Sequence, residues 1–183
     1  MKTIFLDRDG VISRNRDDYV KCISEFEFLP GALQAIGRLT RAGYRVVVIS
    51  NQQAVGKGLM SSETLEEIDR KLKKDVAEAG GRIDAAYYCP HLKEENCGCR
   101  KPATGMLERA GRDFDVQLSE TVLVGDAATD VEAGKSVGCW TIAVLSGKLS
   151  ASDIEILQVR PDIVVENLSA AVDAILESEK RTG

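Results

Sequence analysis

In TIFLDRDGV, residues 3–11, a short β-type run ends on Asp7, a second aspartate follows at Asp9, and Gly10 permits a sharp turn. Carboxylates delivered at the end of an apolar strand suit an open α/β sheet, where ligands bind beyond the carboxyl ends of the strands. Five further runs read as strands: RVVVIS (45–50), DAAYYC (84–89), TVLVGD (121–126), TIAVL (141–145) and DIVVE (162–166). Several are apolar throughout, as strands buried on both faces must be. Helical periodicity lies between them. Over 30–42, Leu33, Ile36 and Leu39 share a face, Pro30 suits the first turn and Gly43 the exit. Over 62–79, Leu65, Ile68, Leu72 and Val76 form a stripe that stops at Gly80-Gly81. Further helices fit 104–112, 129–137 and 169–178. This alternation predicts an α/β fold with a parallel sheet covered by helices. With 183 residues and no repeat or long linker, a single domain spanning 1–183 is expected.

Hydrophobic residues at 44% and charged residues at 29% describe a folded, water-soluble protein. The net charge of −5 disfavours nucleic acid or an anionic membrane as partner, since phosphate backbones call for a basic face. The N-terminal apolar run is too short for a signal peptide, and no segment has the length to span a bilayer. A cytoplasmic setting is therefore expected, with cysteines held as thiols or metal ligands.

Four strand ends carry matching chemistry: Asp7 and Asp9; Ser50 and Asn51 in VVVISNQ; a Cys/His segment ending in Arg100-Lys101; and Asp126 and Asp130 in VLVGDAATD. Three carboxylates gathered at one point repel each other unless a cation joins them. Magnesium, which takes oxygen ligands from carboxylates, water and a phosphate, suits that inventory. Asp130, near a helix start, reads equally well as a helix cap. Lys101, the Ser50 hydroxyl and nearby backbone N–H groups have the charge and donors to hold a phosphate against the metal. Such a set permits covalent catalysis, with Asp7 as nucleophile and Asp9 as general acid/base. A nucleotide-dependent reaction loses its support: GKS at 134–136 lacks the glycine a P-loop needs five residues earlier, VGKG at 55–58 lacks the following Ser/Thr, and no G-x-G-x-x-G follows the first strand.

In CPHLKEENCGC, residues 89–99, Cys89, His91, Cys97 and Cys99 supply three thiolates and one imidazole, a set suited to a tetrahedral, structural Zn²⁺. Free thiols or a redox disulfide are the alternatives. Cys22 and Cys139 read as ordinary buried or partly buried thiols.

FLDRDG, VVVISNQ, RKP and VGDAATD resemble, in order and spacing, the four motifs of the haloacid dehalogenase superfamily of phosphohydrolases. Within it, FLDRDGVI, FEFLPGA, SNQ, YYCPH and CGCRKPATGML are similar to the heptose-bisphosphate phosphatase branch, with the histidinol-phosphate phosphatases as close relatives. The resemblance implies a Rossmann-like three-layer sandwich without a large cap domain, in which loops such as 52–60 and 89–101 shape the pocket. It implies magnesium held by Asp7, the Asp9 carbonyl and Asp126, with Asp130 behind them, and Ser50 and Lys101 as phosphate ligands. Asn51, Gln52, Lys57 and Arg100 are expected to bind the rest of a small phosphorylated metabolite. The chain departs from the heptose-phosphatase pattern at Ala127, where lysine is common, at Lys57, where arginine is common, and at Gln53-Ala54-Val55. The expected reaction is magnesium-dependent removal of the C7 phosphate from heptose 1,7-bisphosphate, in nucleotide-activated heptose biosynthesis, by a monomer. Histidinol-phosphate hydrolysis, phosphoryl transfer to another acceptor and a non-enzymatic zinc-binding interaction domain are the alternatives.

Overall fold

A computed structural model describes residues 2–182. Six strands, β1 (Thr3–Leu6), β2 (Arg45–Asn51), β3 (Ala85–Cys89), β4 (Val122–Gly125), β5 (Trp140–Val144) and β6 (Ile163–Val165), form one sheet in the order β3-β2-β1-β4-β5-β6. All five pairings are parallel, with Ile4 opposite Val46 on one side and Val122 on the other. The helices are α1 (Ala32–Arg41), α2 (Gln53–Gly56), α3 (Ser62–Glu78), α4 (Gly105–Phe114), α5 (Ala128–Ser136), α6 (Ala151–Ile156) and α7 (Leu168–Thr182).

Strand periodicity builds the layers. Ile4, Leu6, Val46, Val48, Val122 and Val124 point into a core shared with Ile36 and Leu39 of α1, Ile68 and Leu72 of α3, and Val172 of α7. The alternating residues Phe5, Val47, Ile49 and Leu123 point the other way, onto Met106, Leu107 and Ala110 of α4 and Ala133 of α5. Every predicted strand and helix is present. Helix α1 begins at Ala32 rather than Pro30, because Gly31 at φ +79° turns the chain into it. The short helices α2 and α6 carry no apolar stripe of their own, and periodicity passes over them. No helix among the described residues is long and apolar enough to cross a membrane.

The connections place the functional region. From β1 the chain winds outward to β2 and β3, then returns to lay β4 on the opposite side of β1. The strand order therefore reverses between β1 and β4, opening a crevice beyond their carboxyl ends. Asp7 follows β1, Asp126 follows β4 and Asn51 ends β2, so three strand ends converge on it.

Candidate active site

A cavity of about 810 Å³ occupies this crevice, within the usual range for small-ligand sites. Asp7, Asp9, Ser50, Asn51, Gln52, Arg100, Lys101, Asp126 and Asp130 all line it.

Carboxylate oxygens of Asp7, Asp126 and Asp130 lie within 4.8 Å of one another, and all three residues are buried. The Lys101 ammonium reaches between two of them, 2.8 Å from Asp7 Oδ1 and 2.5 Å from Asp130 Oδ1, and donates to the Ile49 carbonyl at 2.6 Å. Three negative charges against one positive charge leave a formal balance of −2 in this buried cluster. Burial, reinforced by Asp7 and Asp130, pushes Asp126 up to about 8. Burial also raises Asp7, with Lys101 opposing and Asp130 adding to the rise. Burial works against the charge on Lys101, but Asp130 and Asp7 outweigh it and hold the ammonium firmly protonated. One divalent cation cancels the residual charge and keeps all three carboxylates ionised, so the donor set fits magnesium.

Asp130 caps a helix with one carboxylate oxygen and meets Lys101 with the other. Its Oδ2 accepts from the backbone N–H groups of Asp126 and Ala127, capping the entry to α5, while Oδ1 faces Lys101. Asp126 Oδ2 accepts from the Lys148 backbone N–H at 2.9 Å. Glycines wall in both carboxylates. A Cβ on Gly10 or Gly147 would come within 2.2 or 2.0 Å of Asp126 Oδ2, and one on Gly125 within 2.2 Å of Asp130 Cβ.

Asp9 belongs to a second network. Arg8, fully buried, donates from Nε and Nη2 to Asp9 at 3.1 and 2.9 Å and from Nη2 to Gln52 Oε1 at 2.8 Å. Gln52 Nε2 donates to Asp9 Oδ2 at 2.7 Å and to Ser50 Oγ at 3.1 Å, and Ser13 Oγ donates to Asp9 Oδ1 at 2.9 Å. Burial alone would raise the Asp9 carboxyl, but Arg8, Gln52 and Ser13 outweigh it and hold the group below its usual range. The Arg8 guanidinium also lies 5.7 Å from the Phe26 ring centroid and 5.8 Å from that of Tyr88. Arg8 Nη1 is the buried side-chain nitrogen without a hydrogen-bond partner among the described residues.

Three residues expected at the substrate are engaged with protein partners. Gln52, 4% exposed, spends its amide on Arg8, Asp9 and Ser50. The Asn51 amide is engaged with the Lys101 backbone in both directions at 3.0 Å, fixing the segment that carries the lysine. Lys57 is not among the cavity-lining residues, because its ammonium turns to the Tyr19 hydroxyl at 2.8 Å and stacks over that ring. The loop 52–60 contributes only Gln52 and Gln53 to the lining. A wall that sequence reasoning missed runs from Asn15 to Val20, between β1 and α1, and Lys93, Asn96 and Lys148 also line the cavity. The run SRNRDDY that forms it has no periodicity and no motif to mark it in the sequence.

Beside the cavity, Cys89, His91, Cys97 and Cys99 converge. The three sulfur atoms lie 3.2–3.6 Å apart, and His91 Nδ1 is 3.5 Å from Cys89 Sγ and 3.2 Å from Cys99 Sγ. These separations approach the ~3.7 Å edge of a tetrahedron with ~2.3 Å metal–sulfur bonds. Burial and the neighbouring Cys99 push Cys89 up to about 12, whereas at Cys97 the burial effect is outweighed by a hydrogen bond from the Arg100 backbone and the thiol falls to about 7. Three thiolates coexist there only with a cation among them. Arg100 follows at once, lining the cavity and donating to the His91 carbonyl at 3.3 Å.

A family model described as HAD-hydrolase-like matches residues 98–171. The chain is 44% identical over 148 residues to the D-glycero-beta-D-manno-heptose-1,7-bisphosphate 7-phosphatase of Neisseria meningitidis, covering 81% of this chain and 79% of that one. It is 43% identical over 151 residues to the alpha-anomer enzyme of Mycobacterium tuberculosis, covering 81% and 80%. The crystal structure of D,D-heptose 1,7-bisphosphate phosphatase from Bordetella bronchiseptica, complexed with magnesium and phosphate, superposes with a TM-score of 0.88 at 37% identity, covering 97% of this chain and 99% of that one.

Because Arg8 neutralises Asp9 from a fully buried position, Arg8→Met is expected to destabilise the fold by about 3 kcal/mol. Urea denaturation measures this, and Asp9→Asn in the Arg8→Met background should recover part of the loss.

Proposed function

This chain belongs to the haloacid dehalogenase-like hydrolases, in their heptose-bisphosphate phosphatase branch, and from that premise we propose that it removes the C7 phosphate from D-glycero-D-manno-heptose 1,7-bisphosphate. The buried cluster of Asp7, Asp126, Asp130 and Lys101, two charges short of neutrality beside Ser50, is the observation that carries the chemistry. It supports a divalent cation and a phosphate dianion bound next to a nucleophile, which a non-enzymatic zinc domain has no use for.

Asp7, the Asp9 carbonyl and Asp126, with Asp130 behind them, are the residues that would hold magnesium, which when bound would supply charge neutralisation at the transferring phosphoryl group and fix its orientation. Lys101 and the Ser50 hydroxyl hold the remaining phosphate oxygens. With Oδ1 engaged by Lys101, Asp7 uses its other carboxylate oxygen to attack phosphorus in line. The bond to the sugar oxygen breaks as Asp9 protonates that oxygen, leaving an aspartyl-phosphate on Asp7. Asp9, again a carboxylate, then removes a proton from water, which attacks phosphorus and releases phosphate. The ionised state favoured by Arg8 suits this second half, and the first half draws on the protonated form. Gln52 and Ser13 aim the Asp9 carboxyl in both.

Cys89, His91, Cys97 and Cys99 are read as the ligands of a structural Zn²⁺ that stiffens the loop carrying Arg100 and Lys101. The thiol-rich cluster supports a reducing, cytoplasmic setting. One sheet covered on both faces supports reading residues 1–183 as a single domain, taken as a monomer.

Kinetics decide the substrate. Of the two heptose 1,7-bisphosphate anomers and histidinol phosphate, at least one heptose anomer should give the highest kcat/KM with magnesium, and a preference for histidinol phosphate would overturn the assignment. Asp7→Asn should lower turnover by at least about 10³-fold while the protein stays folded by circular dichroism. Gently purified protein should contain one zinc per chain. Stripping that zinc, with magnesium resupplied, should raise KM and increase hydrogen exchange across 91–101.

A further inference from the structure

The turn that follows β5, residues 145–149, belongs to none of the four motifs, yet it is bonded to the segments that carry the first and last of them. Ser146 Oγ donates to the Gly10 carbonyl at 2.7 Å, the Lys148 N–H to Asp126 Oδ2 at 2.9 Å, and the Leu149 N–H to the Asp126 carbonyl at 2.9 Å. Gly147 packs so tightly on Asp126 that a Cβ there would collide with Oδ2, and Leu149 is buried in a cluster with Val131 and Ala143. Residues 146, 147 and 149 are thus committed to holding the turn in place. The Lys148 side chain is not. It is exposed, it lines the cavity, and among the described residues its ammonium has no hydrogen-bond or ion-pair partner.

Charge balance gives that ammonium a use. One divalent cation neutralises the cluster of Asp7, Asp126, Asp130 and Lys101, with the charge on Lys101 already counted, and Arg8 cancels Asp9. A phosphomonoester dianion then brings two negative charges for which these buried groups hold no surplus, and unmatched charge away from water is costly. Of the other cations lining the cavity, Arg16 is paired with Asp18 and Glu25, while Lys93 and Arg100 ride on the cysteine loop. Lys148 is tied through its own backbone to a site carboxylate. At Asp126, burial, Asp7 and Asp130 raise the carboxyl, and the Lys148 N–H and ammonium oppose them, so the positive charge is felt where the metal-type donors meet. The flexible four-carbon stem lets the ammonium follow a bound group while the backbone stays fixed.

We propose that Lys148 is a further catalytic residue, whose ammonium contacts the phosphomonoester dianion and supplies the positive charge that the buried cluster lacks. The residue acts twice: its backbone N–H orients Asp126, and its side chain meets the substrate. This rests on the phosphatase reading above and adds to it the group that answers the charge the substrate brings in.

The test uses the full chain with zinc retained and magnesium supplied. It reads the affinity for inorganic phosphate by isothermal titration calorimetry, and kcat/KM for heptose 1,7-bisphosphate and for p-nitrophenyl phosphate, which share a phosphomonoester group and differ in what leaves. In Lys148→Met the Kd for phosphate should rise about tenfold and kcat/KM should fall at least about tenfold for both esters alike, and Lys148→Arg should recover most of each loss. Magnesium titrated without phosphate should bind Lys148→Met at least as tightly as wild type, because the backbone N–H on Asp126 remains and one repelling charge is gone. Weaker magnesium binding would reduce Lys148 to a structural role and overturn the proposal. Unchanged phosphate affinity, or a loss confined to the heptose ester, overturns it as well. If wild type neither binds phosphate nor hydrolyses either ester, the phosphatase reading falls and takes the proposal with it, whereas an active wild type matched by Lys148→Met overturns the role of Lys148 alone.

Discussion

A lysine ammonium held between two buried aspartates is the constraint around which this molecule is arranged. Moving an ion out of water costs several kcal/mol even after the protein relaxes, and Lys101, Asp7, Asp126 and Asp130 are all nearly inaccessible. Lys101 compensates Asp7 and Asp130, yet the cluster still carries an excess of negative charge. The architecture accepts that cost at one place, the point of sheet reversal where β1 and β4 end side by side. Everything nearby holds the charges in register: the Asn51 amide grips the Lys101 backbone, Asp130 caps α5, and the Lys148 N–H fixes Asp126. Asp9 sits outside this cluster, neutralised by its own buried arginine. Two carboxylates of one motif thus receive opposite environments, burial raising Asp7 while Arg8 and its partners hold Asp9 down.

How much of this the chain announces in its sequence follows from physics of different range. The sheet is legible because burial on both faces writes an apolar run, and the strand ends are legible because polar residues break those runs abruptly at Asp7, Ser50 and Asp126. Local patterns cannot report contacts between distant segments. Arg8 looks like a surface residue between two aspartates, but it is fully buried, and only the arrival of Gln52, Phe26 and Tyr88 explains it. For the same reason Gln52 and Asn51 read as free amides, whereas both are spent on neighbours 43 to 50 residues away. The wall at 15–20 has no periodicity and is ordered by contacts with α2, so its part in the cavity becomes visible only in three dimensions.

The two metal-type clusters divide by chemical softness. Oxygen donors converge at the strand ends and sulfur donors in the loop after β3, two donor sets that suit hard and soft cations respectively. Lys101 links them, since its backbone continues the cysteine loop while its ammonium ends among the carboxylates.

Gly10, Gly147 and Gly125 carry no functional group, yet each presses its backbone against a site carboxylate more closely than any Cβ would permit. On the glycine side no volume is left for the carboxylates to turn into. Part of the catalytic information in this chain is therefore stored as missing atoms, and tolerance to substitution should be as low at these three bare positions as at the aspartates they enclose. A survey that looks for function only in reactive side chains would pass over them.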